Sequence, residues 1–200
     1  MSKKTDVSLP TLAKMKIMLV GDSSVGKSSL LDRYINNQFS EQKPTLGIDY
    51  ASKRLDVKNI PTYVHFWDPS GDDMYFEIRN EFYQESDGII LCYDCSNKET
   101  FNKLSNWIDE GNKNKANWSS MIIVGNKSDL GKSVSIEEAN AFAKRLGAQS
   151  FQVSSKTGEG VESAVNTLLE IIQKKRDNAY IPDTKVTNES NSVGKKHRKM

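Results

Sequence analysis

The chain has 200 residues, 36% hydrophobic and 27% charged, which suits one globular domain with a real core and short tails. Residues 1–16 carry four Lys against one Asp and residues 177–200 carry five Lys/Arg against three Asp/Glu, so the net +2 leaves −3 for residues 17–176. A mildly acidic body with basic ends argues against a nucleic-acid-binding domain. No apolar stretch approaches the ~20 residues that a membrane-spanning helix needs, and no apolar segment follows Met1-Ser2-Lys3-Lys4-Thr5-Asp6, so a cytoplasmic or nuclear location is expected.

Residues 1–13 are polar and aperiodic and are expected to be disordered. The run at 16–20 then reads as a strand buried on both faces. It leads into Gly21-Asp22-Ser23-Ser24-Val25-Gly26-Lys27-Ser28, which has the spacing of a phosphate-binding loop, G-x-x-x-x-G-K-[ST]. Ser29-Leu30-Leu31-Asp32-Arg33-Tyr34-Ile35 leads out with helical spacing. Successive backbone N–H groups at Ser24, Val25, Gly26, Lys27, Ser28 and Ser29 can curl around an anionic phosphate, helped by the helix N-terminus. Lys27 can reach the outer phosphates, and the Ser28 hydroxyl can bind Mg²⁺.

Segments 47–57 and 62–68 read as a hairpin joined by Lys58-Asn59-Ile60-Pro61. Further apolar runs at 88–93 and 121–124 read as strands, with a weaker one at Phe151-Gln152-Val153. Helical spacing links Phe101, Leu104 and Ile108, then Ile136, Ala139, Ala143 and Leu146, then Val161, Ala164, Val165, Leu168 and Ile172. Ser135 with Glu138 forms a capping box, and Gly147 is placed to close that helix. Strands alternating with helices predict a doubly wound α/β domain, residues 14–177, followed by a disordered basic tail over 178–200. Cys92 and Cys95 sit three apart on or beside an apolar strand, so they face opposite ways and are expected to be buried, reduced thiols.

Asn126-Lys127-Ser128-Asp129 follows the run at 121–125, at the sheet edge where ligands bind in this architecture. The Asp129 carboxylate can accept two hydrogen bonds from the ring N–H and amino group of guanine. Adenine presents a lone pair at that ring nitrogen, and rejection by an unpaired polar group can reach ~10⁴-fold. Asn126 would brace the loop and contact the base, and the Lys127 stem can lie over its face.

With these motifs in order, residues 14–177 resemble a small GTPase of the Ras superfamily, most like its Rab branch. The resemblance implies a P-loop NTPase G domain: a mostly parallel six-stranded sheet with one antiparallel strand and helices on both faces. Thr45-Leu46-Gly47-Ile48-Asp49-Tyr50 resembles the first switch, in which Thr45 would bind Mg²⁺ and the γ-phosphate in the GTP state. Trp67-Asp68-Pro69-Ser70-Gly71 resembles the second, in which Asp68 would hold Mg²⁺ through water and the Gly71 N–H would touch the γ-phosphate. Ser154-Ser155-Lys156 resembles the last guanine loop, whose contact comes from the backbone, so Ser155 in place of the usual Ala is expected to be harmless. Phe39 would lie against the guanine edge, though an ordinary core Phe fits the same position. Tyr50, Trp67 and Phe82 match the aromatic triad that Rab proteins present to effectors, with simple interswitch packing as the alternative. His65, on an alternating strand, is expected to be a bystander.

The sequence also departs from the family. Asp72 stands where the family has the Gln that orients the attacking water. At about 5 Å its charge would repel a γ-phosphate by roughly 3 kcal/mol at an effective dielectric near 20, or by roughly 1 kcal/mol or less in water. Asp72 is therefore expected to turn outward, and intrinsic hydrolysis to be slow. The segment between Phe39 and Thr45 is one residue shorter than the family pattern and lacks its aromatic. No cysteine follows Cys95 and the second residue is Ser2, so no prenyl or myristoyl anchor is expected. The tail Lys195-Lys196-His197-Arg198-Lys199 would give only weak, reversible contact with anionic membranes. The missing Gln, the missing lipid and Arg79-Asn80-Glu81-Phe82-Tyr83 together resemble the RJL group of Rab-like GTPases, here without a J domain.

The resulting expectation is a monomeric, Mg²⁺-dependent GTP/GDP switch of signal transduction and vesicle traffic. It would order residues 38–47 and 69–80 for effectors and answer to an exchange factor and an activating protein. Lys27, Thr45, Gly71 and Asp72 are its catalytic candidates, and Ser28, Thr45 and Asp68 its metal ligands. The rival expectation is a non-hydrolysing, GTP-bound module that recruits effectors. An ATP-using kinase of the same fold is disfavoured by Asn126 and Asp129.

Overall fold

The computed structural model describes residues 12–40 and 42–179. The two expected disordered ends, including the basic run at 195–199, lie almost wholly outside the described residues. β1 (Ala13–Val20) is the central strand, parallel to β3 (Ile60–Pro69) on one side and to β4 (Gly88–Asp94) on the other. β5 (Met121–Asn126) and β6 (Gln149–Gln152) continue the parallel run, and β2 (Ile48–Val57) pairs antiparallel with β3. The order is β2-β3-β1-β4-β5-β6, the six-stranded α/β sheet with one antiparallel strand that the sequence implied.

Burial on both faces explains the continuous apolar runs, because successive side chains of a strand point to opposite sides. Met15, Ile17 and Leu19 join a core with Leu30, Leu31 and Tyr34 of α1 (Lys27–Asn36) and with Ala164, Val165, Leu168 and Ile172 of α6 (Val161–Ala179). Met18 and Val20 join a second core on the other face. That core is completed by Tyr83 of α2 (Phe76–Tyr83), Phe101 of α3 (Lys98–Asn102), Leu104 and Trp107 of α4 (Leu104–Lys113), and Ala139 and Ala143 of α5 (Ile136–Arg145). Cys92 belongs to the first core and Cys95 to the second, both free and buried, as their spacing predicted. Burial pushes the thiol of Cys92 up to about 12 and that of Cys95 to about 11.

Three details differ from the sequence expectation. The β2–β3 turn is only Lys58 and Asn59, both with positive φ (+49° and +64°), and Ile60 and Pro61 already belong to β3. Two left-handed residues give the turn whose twist matches paired strands. The helix expected through Phe101 and Ile108 is broken at Lys103 (φ −78°, ψ −7°), a bridge conformation between α3 and α4. In α5 Ala139 and Ala143 are buried while Ile136 and Leu146, at its two ends, are exposed. Half of its capping box is present: Glu138 N donates to Ser135 Oγ at 3.1 Å, while the Glu138 carboxylate pairs with Lys98 instead of reaching back to the Ser135 amide. Among the described residues no helix is long and apolar enough to cross a membrane.

The parallel strands β1, β4, β5 and β6 deliver their carboxyl ends side by side. The chain crosses from β1 to the β2–β3 side and later returns to β4 on the other, so a crevice opens beyond β1 where ligands bind in such sheets.

Candidate functional site

The loop after β1 begins this crevice. Gly26 carries φ +92°, and a Cβ there would lie 2.4 Å from Asn126 Nδ2, so both conformation and space require glycine. No side chain caps this end of α1, which leaves its first N–H groups to an anion. Lys27 is buried, and its Nζ donates to the Gly21 and Asp22 carbonyls at 2.8 and 3.0 Å. Burial pulls its pKa down while Asp68 opposes that shift. An anion arriving beside this ammonium would therefore meet a charge that the site has already desolvated.

Three oxygen-bearing side chains, Ser28, Thr45 and Asp68, converge next to Lys27. Ser28 Oγ donates to Asp68 Oδ2 at 2.5 Å and lies 3.1 Å from Thr45 Oγ1. Asp68 is 1% exposed, and its Oδ1 has no hydrogen-bond partner among the described residues. Burial raises its pKa, opposed by the Ser28 hydroxyl and Lys27. A buried carboxylate oxygen without a partner beside two hydroxyls is a hard-oxygen set that fits Mg²⁺.

The opposite end of the crevice is a braced frame. Asn126 Nδ2 donates to the Val25 and Gly26 carbonyls at 3.2 and 3.1 Å, and its Oδ1 accepts from Ser155 N and Oγ at 3.0 and 2.9 Å. One buried amide thus locks the phosphate loop to the 154–156 loop, and the Ser155 hydroxyl adds a bond that an Ala would lack. Ser154 Oγ donates to Asp129 Oδ1 at 2.6 Å, fixing the carboxylate at the rim. Arg33 of α1 fastens the same loop through the Ser155 and Lys156 carbonyls, each at 2.8 Å. Lys127 spans the gap, donating to Ser24 O at 2.7 Å and pairing with Asp94 at 2.8 Å. Burial works against the Asp94 charge, but Lys127 and Ser96 hold its pKa below the usual range.

One cavity of about 620 Å³ joins these groups. Ser24, Gly26, Lys27, Ser28, Ser29, Phe39, Thr45, Gly71, Asn126, Lys127, Asp129, Ser155 and Lys156 all line it. Val25 and Ser154 lie behind the wall as buried supports. Phe39 is 42% exposed and borders the cavity, so it is not a core residue.

Asp72 does not face this cavity. Its Oδ1 accepts from Met74 N at 2.9 Å, capping the short 3₁₀ turn Asp73–Tyr75, and the residue is exposed. Outward rotation was the electrostatic expectation, and an available backbone donor supplies the local reason. Tyr50, Trp67 and Phe82 form a contiguous stack with centroids 4.7 and 4.9 Å apart. His65 extends that stack, lying 2.5 Å from the Tyr50 hydroxyl through Nδ1.

Sequence reasoning missed contacts made by α4 and by Lys103 just before it. Asp22 of the phosphate loop is held by Trp107 Nε1 at 2.7 Å and Lys103 Nζ at 3.0 Å, and Arg79 is paired with Glu110. The available signal was Arg79 and Tyr83 four apart on one short helix, a spacing that places them on one face.

Comparison with known sequences supplies independent evidence. The Ras family profile matches residues 16–174. The chain is similar to the Ras-related protein SEC4 of Saccharomyces cerevisiae, 34% identical over 165 residues, covering 82% of this chain and 77% of SEC4. It is similar to the Ras-related protein RabC of Dictyostelium discoideum, 33% identical over 186 residues, covering 90% and 94%. The Ras-related protein Rab-21 of Mus musculus is 32% identical over 186 residues, covering 92% and 82%.

Proposed function

The chain belongs to the Ras family as a Rab-like GTPase, and we propose that its cavity holds GTP or GDP with Mg²⁺ and turns GTP over slowly. The observation that carries this reading is one cavity bounded by Lys27 and Ser28 at one end and by Asn126 and Asp129 at the other. Asp129, oriented by Ser154, selects guanine, and the backbone of Ser155 and Lys156 supports the same edge. Phe39 and the Lys127 stem flank the base. The backbone of residues 24–29 and the Lys27 ammonium take the phosphates. Ser28, Thr45 and Asp68 would hold Mg²⁺, which when bound neutralises phosphate charge. Thr45 and the Gly71 N–H respond to the third phosphate and so arrange residues 38–47 and 69–80 for effectors. Tyr50, Trp67 and Phe82 supply the apolar contact. As in the family, exchange factors and activating proteins would set the state.

A second reading, a long-lived GTP-bound module that recruits effectors, is favoured by the Asp72 side chain capping Met74 N. In that geometry no carboxylate or amide of residue 72 orients water. Asp72 together with Arg79-Asn80-Glu81-Phe82-Tyr83 also supports placement in the RJL group.

Competition for bound fluorescent GDP tests the nucleotide assignment. Excess unlabelled GDP should displace it, and ATP should fail at concentrations ~10⁴-fold higher. Equal displacement by ATP would return the site to the kinase alternative.

A further inference from the structure

The segment between Phe39 and Thr45 is one residue shorter than the family pattern and lacks its aromatic, yet it still walls the cavity. Gln42, Lys43 and Pro44 all line it, together with Lys27, Ser28 and Gly71. At one end this segment is tied to α1. Ser40 Oγ and Gln42 Nε2 each lie 3.4 Å from Asp32 Oδ2, and Gln42 Nε2 donates to Ser40 Oγ at 2.9 Å. At the other end Thr45 Oγ1 lies 3.1 Å from Ser28 Oγ, within the oxygen set that fits Mg²⁺.

The backbone between these two ties turns Lys43 toward the phosphate loop. Residues 42–46 form neither helix nor turn, and the ring of Pro44 disfavours helical backbone at the residue before it. In extended chain, residues two apart project to the same side. Lys43 therefore shares the side of Thr45, which faces Ser28.

The charges in the wall sort by position. Lys27 is buried against the Gly21 and Asp22 carbonyls, and Lys127 is paired with Asp94. Lys156 belongs to the loop at the base end, with Asp129, the one carboxylate among the described residues that line the cavity. Lys43 is the cation that the first switch itself contributes. At the same end of the cavity Asp72 turns away and caps Met74 N, so its carboxylate does not compete for that cation. An ammonium on a flexible four-carbon stem suits a phosphate oxygen as a point-charge partner.

We propose that Lys43 binds the third phosphate of GTP, so that the first switch closes on the nucleotide by charge in place of an aromatic ring. The proposal rests on the guanine-nucleotide reading of the cavity. It adds to that reading a side chain, two residues before Thr45, through which residues 38–47 distinguish GTP from GDP.

Equilibrium affinities of the full chain for GMP, GDP and a non-hydrolysable GTP analogue test this, natural protein against Lys43→Met and Lys43→Arg. Met keeps most of the stem and removes the charge, whereas Arg keeps the charge. Lys43→Met should weaken the analogue about tenfold, GDP no more than about threefold and GMP less than about twofold. Lys43→Arg should stay within about threefold of the natural protein for all three. Unchanged affinity of the Met variant for the analogue overturns the proposal, and so does equal weakening of the analogue and GDP. Equal weakening of GMP as well, or an Arg variant as weak as the Met one, would make Lys43 a structural part of the loop and overturns it too. A natural protein that binds none of the three guanine nucleotides overturns the cavity reading itself, and the proposal with it.

Discussion

The two ends of one cavity are built differently. At the base end, Asn126, Ser154 and Ser155 are each no more than 2% exposed and are bound to one another, to the phosphate loop or to Asp129. At the γ-phosphate end, Thr45 is half-buried, while Leu46, Asp72 and Met74 are exposed. On the proposed reading, selection of the base would be a property of the rigid sheet edge. Response to the third phosphate would then belong to segments with little buried area, the kind that open and close at low cost. Within that end, Arg79 ties the Ser70 and Asp72 carbonyls to Glu110 of α4. A switch that selects one base and responds to one phosphate needs both kinds of construction.

Substitutions at each end test this contrast. The largest effect is expected from Asp129→Ala, which should abolish most of a preference of ~10⁴-fold for guanine over adenine nucleotides. It leaves the phosphate loop intact, so the readout is GDP against ADP competition; an undiminished preference would move base selection elsewhere. At the other end, Gly71→Ala forces a methyl into backbone atoms 2.4 Å away. Overpacking of this kind costs about 1–3 kcal/mol, read as a lower unfolding midpoint of the GDP form, whereas unchanged stability would mean that the Gly71 contact with the loop is loose. The smallest effect belongs to Ser155→Ala, which removes the 2.9 Å bond to Asn126. About 1 kcal/mol predicts several-fold faster GDP release, and an unaltered rate would return Ser155 to the harmless substitution that sequence reasoning expected.

The same contrast explains what was legible in the sequence. The strands, the phosphate loop and the Ser135–Glu138 cap depend on local spacing, which a sequence displays directly. Asn126 ends a strand and Asp129 follows it, so their place at the sheet edge was readable by position. Arg79–Glu110 and Asp22–Trp107 join residues 31 and 85 apart in the chain, and no local period reports which helix a buried Arg will meet. The break at Lys103 was hidden because Phe101 and Leu104 remain buried on either side of it. For Phe39 the residue type fitted a core or a cavity wall equally, and only its exposure and its place in the wall of the cavity that Asp129 and Lys156 also line separate the two. The outward turn of Asp72 followed from charge alone, but the Met74 amide that receives it became visible only in the folded turn.

Single-turnover hydrolysis of γ-labelled GTP, natural protein against Asp72→Gln, tests the central claim most directly. The account predicts a natural rate well below the ~4 × 10⁻⁴ s⁻¹ of an ordinary unaided small GTPase, and a return to about that rate with Gln. A natural protein that already reaches ~4 × 10⁻⁴ s⁻¹, with no gain from Gln, would contradict it. Asp72 would then be no handicap, and the hydrolytic timer would run without a side chain at that position to orient water.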